Sequence, residues 1–419
     1  MYVVTPFSIL TRNRDFRRLF LAELVVFGGD WFVMVPLLVL LTKLTGNGFL
    51  GGVALAADTG IQALLLPFAG VISDRYDRRR VMITANAAAF LAVLILLLVR
   101  SPGTAWLGPV AVGSVAVAKA FYSPAASAAL PNLVEPEELS AANAIAGSAW
   151  GTMTVVGSSL GGVLSAIFSP YACFMITAAF LAIAAFLALG VRRPMQAERD
   201  QTVAHPPVLS AMREATRYIV ARPRVASLVT VKSAVGFGNG VLALFPLLAA
   251  NVFMVGSIGT GLLFAARGAG ALIGPFLMRR VLGHRSWLMT GLALSMATYG
   301  LSYIGVSFVT WFPLALVLVF TAHLAGGGNW VMSSYALQVE VPDELRGRVF
   351  SLDMMIATLA VSVSLLAVSA FESQASTRVL IACCGGVTLL YSIGWRLVTL
   401  RLRTPEAAQP PSTVLAASR

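Results

Sequence analysis

Apolar runs of 18 or more residues recur along the whole chain, each long enough to cross about 30 Å of hydrocarbon as a helix. Nothing else in the sequence constrains the fold so tightly. Inside lipid no water is present to bond the backbone, so a chain made of such runs must satisfy its own peptide groups, and it does so as helices. Of the 419 residues, 58% are hydrophobic and only 11% charged, far too little charge for a water-facing surface. The pattern predicts an all-α polytopic membrane protein with twelve spans near 16–42, 49–72, 81–99, 106–131, 140–168, 172–191, 224–252, 257–280, 286–306, 309–338, 348–371 and 377–402. The first run follows Arg12, Arg14, Arg17 and Arg18 as a signal sequence would. It is too long for a signal core, and no Ala-x-Ala site closes it, so it is expected to stay as a spanning helix.

Orientation follows from arginine. Counting alternate loops and tails, one side holds 24 Lys and Arg residues and the other holds only Lys43, Arg100 and Arg378. In short loops this imbalance places both termini in the cytoplasm. The net charge of +12 is thereby a topology signal, and nucleic acid is not expected as a partner. Cys173, Cys383 and Cys384 all fall inside predicted spans, so neither a disulfide framework nor a metal site follows. None of the three lysines follows a glycine, so no phosphate-cradling G-x-x-x-x-G-K loop is present and no nucleotide or other cofactor is expected. Without a nucleophile, base and ligand set in the spans, no enzyme activity is expected.

The chain also repeats itself. A shift of 210 residues lays FGGDWFVMVPLL, from Phe27, on FGNGVLALFPLL, from Phe237; a shift of 206 lays LVEPEEL, ending at Leu139, on VEVPDEL, ending at Leu345. Six spans per copy is an even number, so the copies enter the membrane in the same direction as parallel repeats, an arrangement that transporters rock about a midplane site. The expected organisation is an N-terminal six-helix bundle over 1–191, a cytoplasmic linker over 192–222, a C-terminal bundle over 223–403 and a tail over 404–419. Within the linker Val208, Leu209, Met212, Thr216 and Ile219 recur at helical spacing opposite Arg213, Glu214 and Arg217, which predicts a helix lying on the membrane surface.

Ionisable groups inside spans are informative, because each costs at least about 2.5 kcal/mol at the bilayer centre. The third, sixth and ninth spans carry none. Glu23 and Asp30 lie in the first, Asp58 in the second, Lys119 in the fourth, Lys232 in the seventh, Arg267 in the eighth and His323 in the tenth. At 1.5 Å per residue Asp30 is about 21 Å from Phe16 and Lys119 about 20 Å from Trp106, so both reach the midplane, and His323 reaches a similar level. Spans 1, 4 and 10 are thus expected to converge on one cavity, with Asp30 as the proton-titrating group and Lys119 as its partner; a fixed structural ion pair is the alternative. Glu23 and Lys232 are expected to reach interfacial water in a structural role. Asp58 and Arg267, about 14 and 15 Å deep, are expected at contacts between halves or at a gate. Aromatic residues Phe27, Trp31, Phe32, Phe121, Tyr122, Phe237, Phe245 and Trp330 are expected to line the cavity.

The loop after the second span reads GVISDRYDRRR from Gly70 to Arg80. It resembles the signature G-x-x-x-D-[RK]-x-G-[RK]-[RK] of the major facilitator superfamily, with Gly70, Asp74, Arg75, Arg78 and Arg79 in register and Asp77 where the pattern has glycine. That departure, together with RNRDFRRLFLAELVVFGGDW at 12–31, AKAFYSPAASAALPNLVEPEELSAANAI at 118–145 and VPDELRGRVFSLD at 341–353, is similar to the drug:proton antiporter-like branch that includes macrolide and siderophore exporters. The resemblance spans nearly the whole chain. It implies the major facilitator fold and a cytoplasmic latch in which the arginines pair with Asp74, Asp77 or the Glu135, Glu137 and Glu138 loop. Asp343, Arg346, Gly347 and Arg348 form the matching loop of the second half. Gly157, Ser158, Gly161 and Gly162 partly resemble the antiporter motif ending G-P-x-x-G-G, with serine in place of proline. Lys119 stands where the superfamily often has arginine.

These readings converge on a monomeric transporter of the bacterial inner membrane that exchanges protons for small hydrophobic or amphipathic compounds by alternating access, as multidrug exporters do. A dedicated exporter of one metabolite such as a siderophore, or a lipid transporter, is the alternative, and a receptor that binds without transporting is the remotest reading.

Overall fold

The computed structural model describes residues 6–135, 138–195, 208–281 and 287–402. Among these residues it is helical throughout. A short α1 (Pro6–Arg12) leads into α2 (Arg14–Thr45), followed by α3 (Phe49–Arg75), α4 (Arg78–Ile95), α5 (Leu107–Ala129), α6 (Leu139–Ile167) and α7 (Pro170–Gly190). Helix α8 (Val208–Val220) precedes the second set. That set opens with α9 (Pro223–Gly238), which continues through a 3-10 stretch (Asn239–Leu244), the single turn α10 (Phe245–Leu247) and a π turn (Leu248–Val252). Helices α11 (Gly256–Val281), α12 (Leu288–Phe308), α13 (Phe312–Glu340), α14 (Asp343–Phe371) and α15 (Thr377–Thr399) complete it.

Ten of these segments are long and apolar enough to cross a membrane; α6 adds a shorter apolar stretch, Gly151–Ile167, and α12 packs into the same bundle beside α13 and α15. With α6 and α12 the long helices among the described residues number twelve, as the pattern predicts.

The helix ends are written in local chemistry. Asn13 caps α2 by accepting the Phe16 N–H at 3.0 Å, and Gly46, in the left-handed region at φ 74°, closes it. Ser169 followed by Pro170 opens α7, with the serine hydroxyl accepting the Ala172 N–H at 3.2 Å. Asp77 caps α4, its carboxylate accepting the Arg80 N–H at 2.9 Å. An aspartate supplies there what the family's glycine cannot, a side-chain acceptor for an otherwise unbonded donor of the first turn.

In the first set α2 packs on α6 and α7, and α3 and α4 pack on α5; in the second α11 packs on α13, α12 on α15 and α14 on α9. The two sets meet along α6 with α11 and α3 with α14. Near the end of the bundle where α2 turns into α3, hereafter the turn end, the contact is close. A side-chain carbon on Gly162 would lie 2.9 Å from the Ser257 carbonyl oxygen, and one on Gly261 would lie 2.7 Å from that of Ser158. Only backbones stripped of side chains approach so near. Two hydrogen bonds cross there as well: the Gly48 N–H donates to a Glu372 carboxylate oxygen at 2.9 Å, and the Ser362 hydroxyl to the Ala56 carbonyl at 2.9 Å.

Helix α8 forms within the linker, where the spacing predicts it. Its Ala215 and Ile219 are buried with Val225, Leu228, Leu337 and Val349 in the core of the second set, and Glu214 pairs with Arg348. Of its expected apolar stripe Ile219 faces protein, while Leu209 is 81% exposed.

Candidate functional site

A cavity of about 770 Å³ lies between the two sets of helices. Helices α2, α3 and α5 bring Asp30, Asp58 and Lys119 to one wall, while α11 and α13 bring Arg267 and His323. The midplane depths counted from the sequence explain the meeting: residues at similar levels on neighbouring spans share one layer.

Lys119 Nζ lies 2.9 Å from Asp30 Oδ2 and 3.5 Å from Asp58 Oδ1, so one ammonium bridges two carboxylates. Gln62, one turn along α3, donates from Nε2 to Asp58 Oδ1 at 3.0 Å and to the Asp58 carbonyl at 2.9 Å. The three charged side chains keep 26%, 23% and 13% exposure for Asp30, Asp58 and Lys119, so they sit at the cavity wall in partial reach of water. An acid, a base and a second acid in one hydrogen-bonded row can pass a proton or accept an exchanging group, and removing one member leaves the others uncompensated in low dielectric. Asp58 therefore belongs to this cluster.

Arg267 lies with its guanidinium carbon 5.5 Å from the ring centre of Trp31, whose indole N–H donates to the Thr154 hydroxyl at 3.1 Å and whose ring meets Phe264 at 5.3 Å. His323 Nε2 and the Tyr303 hydroxyl are 2.8 Å apart, and the imidazole stands edge-on to Tyr299 at 5.2 Å. Glu23 is buried in α2 and is not among the cavity-lining residues. Lys232 does not reach interfacial water: it is fully buried and paired with Asp353 of α14, itself fully buried. Sequence reasoning passed over Asp353, which lies just inside its span and was absorbed into the VPDELRGRVFSLD loop pattern. Of the aromatic residues expected in the cavity, Phe27, Trp31 and Trp330 line it, joined by Phe264 and Phe276. Phe245 is instead buried against Phe264 at 5.1 Å, Phe237 packs on Tyr391 at 6.2 Å, and Phe32, Phe121 and Tyr122 are not in the lining.

In the signature loop Gly70, Asp74 and Arg75 lie in the last turns of α3, but the surroundings of all three, like those of the Asp343 side chain and all of Glu137, fall outside what is described. Arg78 donates to the carbonyls of Ala128 at 2.7 Å and Met195 at 3.0 Å, and Arg79 to that of Arg193 at 3.3 Å. Of the described acidic residues in the expected partner loop, Glu138 pairs with Arg12 and Glu135 with Arg193 at 3.5 Å. In the second half Arg346 donates to the Val341 carbonyl at 3.4 Å, Arg348 pairs with Glu214, and Gly347 is exposed. Gly157 and Gly161 face Trp31 and Gly28 of α2, whereas Gly162 faces α11, so one run of small residues serves two helix contacts.

Twelve helices around a charged, partly apolar central cavity define a polytopic membrane transporter. Residues 19–292 match the Major Facilitator Superfamily, and the chain belongs to it. The Enterobactin exporter EntS of Shigella boydii serotype 4 (strain Sb227) is 26% identical over 352 residues, 82% of this chain and 81% of that protein. EntS of Salmonella typhi is likewise 26% identical over 354 residues, 81% of each chain. Among solved structures, the nucleoside transporter NupG superposes with a TM-score of 0.73 at 12% identity, covering 93% of this chain and 99% of that one. A bacterial homologue of the human lysosomal transporter Spinster, described as inward-facing and unoccupied, superposes at 0.72 and 15% identity, covering 95% and 98%. At such identities the structures establish the fold alone. All of these proteins are transporters, and this chain is a transporter and not an enzyme.

Proposed function

We propose that this protein exports one amphipathic metabolite of the siderophore kind by alternating access, with proton exchange at the Asp30, Lys119 and Asp58 cluster. The observation that carries the reading is the bridging of two carboxylates by Lys119 on the wall of the central cavity. A substrate group or a proton that enters the row changes the charge balance at the place where the two halves must part. The similarity to exporters whose names specify a single compound favours a dedicated exporter over a multidrug pump.

In this reading residues 1–191 and 223–403 move as two bundles joined by 192–222, with both termini and the linker on the cytoplasmic side as the arginine distribution requires. The close Gly162 and Gly261 contact and the Gly48 to Glu372 hydrogen bond then seal the periplasmic end. The cavity is consequently loaded from the cytoplasm. Arg78 and Arg79, together with Gly70, Asp74 and Arg75, latch the opposite end when the cavity opens outward.

Inside-out vesicles loaded with the protein test this directly. Proton-driven accumulation of enterobactin, lost in Asp30→Asn and absent for a panel of dyes and antibiotics, is the expected result. Equal accumulation of many unrelated dyes returns the multidrug reading, and accumulation unchanged in Asp30→Asn removes the coupling from this cluster.

A further inference from the structure

Trp330 and the buried pair Lys232–Asp353 have no place in the coupling scheme. Trp330, on α13, lines the cavity and is half-buried. Lys232 Nζ lies 5.6 Å from the centre of its ring, within the range of a cation–π contact. Because Lys232 has no exposure at all, the ring surface that faces the cavity is not the one the ammonium covers. Lys232 is in turn held by Asp353 Oδ2, while Asp353 Oδ1 is buried without a hydrogen-bond partner.

An ion pair sealed in the interior with one carboxylate oxygen unsatisfied is expensive, and apolar residues of the same size commonly stabilise better. Its position behind a cavity-lining indole gives it a purpose. The ammonium fixes the ring and draws its electron density toward the protein, which leaves the cavity side suited to an electron-rich partner. Trp31 differs, since Arg267, Phe264 and Gly157 already crowd it.

We infer that Trp330 is a stacking platform for an electron-rich aromatic group of the substrate, and that Lys232 and Asp353 are its positioning residues. This rests on the cavity being the substrate site, as proposed above, and names the class of substrate the cavity takes. The Trp330 ring sets the preference for an aromatic group, and Lys232, behind the ring, holds it in place.

The test uses full-length protein in nanodiscs and two probes, 2-naphthoate and its saturated analogue decahydro-2-naphthoate, with affinities read by calorimetry. Both are bicyclic carboxylates, and the saturated one buries as much apolar surface, so hydrophobic burial alone does not favour the aromatic ring. Wild type is expected to bind 2-naphthoate about two- to tenfold more tightly, the range of an aromatic pair beyond its area. Trp330→Phe should keep part of that ratio and Trp330→Leu should bring it to one. The double variant Lys232→Met/Asp353→Leu removes the pair without stranding a charge, and it should fold, bind the saturated probe as wild type does and lose the aromatic preference. A wild-type ratio of one, or no binding of either probe, overturns the platform. A ratio retained in the double variant overturns the positioning role of the pair. Vesicle accumulation unchanged in Asp30→Asn while the probe ratio persists overturns the coupling reading and leaves this inference standing, whereas a lost ratio with intact proton-driven flux sinks it alone.

Discussion

Each half of the molecule holds a lysine that nature has placed where lysine is costly, and the two are handled in opposite ways. Lys119 bridges two carboxylates on a wall that keeps partial contact with water, whereas Lys232 and Asp353 have 0% side-chain exposure. The backbones differ in the same sense. Helix α2 runs unbroken for 32 residues through Gly28, Gly29 and Pro36, while the corresponding span of the second half leaves α-geometry at Asn239 and regains it only for the turn Phe245–Leu247. Ser364 supports the break, its hydroxyl accepting the Gly240 N–H at 3.1 Å and donating to the Phe237 carbonyl. Two copies of one plan have thus diverged into a half-buried charge row at the cavity wall, beside an unbroken first helix, and a sealed charge pair beside a distorted one. Mid-span 3-10 and π stretches mark strained or functional sites.

The sharpest way to break this comparison is to remove each lysine. Lys232→Met strands a buried carboxylate and should destabilise by about 3–5 kcal/mol, read as a lowered melting temperature in detergent. Lys119→Met should lower it less, because its carboxylates reach cavity water, yet abolish proton-driven flux. Equal melting temperatures for the two variants contradict the distinction.

Next in size, Gly162→Leu forces a side chain against Ser257 and Gly261 and should cost about 1–3 kcal/mol, with increased thiol labelling of a cysteine placed at Gly48 as the seal opens. Gly394→Leu, where a side chain meets open space, should change stability by no more than about 0.5 kcal/mol. Ser364→Ala withdraws the support of the distorted span and should cost about 1 kcal/mol in thermal unfolding. The smallest effect belongs to Asp77→Gly, which restores the family pattern in α4 at a loss of a few tenths of a kcal/mol, measured by the same melt.

Span number and the shared depth of Asp30, Lys119 and His323 were legible because hydrophobic length and helical rise are properties of the chain alone. Asp58 was visible as a buried charge, but its bond to Lys119 depends on how α3 and α5 are rotated, which depth counting does not give. The aromatic lining was misread for a related reason: a helix apolar on all faces carries no stripe that says which side meets the cavity. Phe245 and Phe237 accordingly turned out to be packed inside the second half. The break after Gly238 was equally invisible, since it depends on Ser364 from a helix more than a hundred residues away. Asp353 was hidden by its neighbours, a charge just inside a span being easily counted with the charged loop before it.

The central claim is that protonation of the Asp30, Lys119 and Asp58 row governs whether the turn end is sealed. Spin labels on cysteines placed at Lys43 and Gln374, both exposed near that end, in a chain with Cys173, Cys383 and Cys384 replaced by serine, report the separation by electron–electron resonance. Wild type is expected to give a distance distribution that changes between sealed and separated populations with pH, and Asp30→Asn/Asp58→Asn a single pH-independent distribution. A pH response that survives in the double variant contradicts that claim.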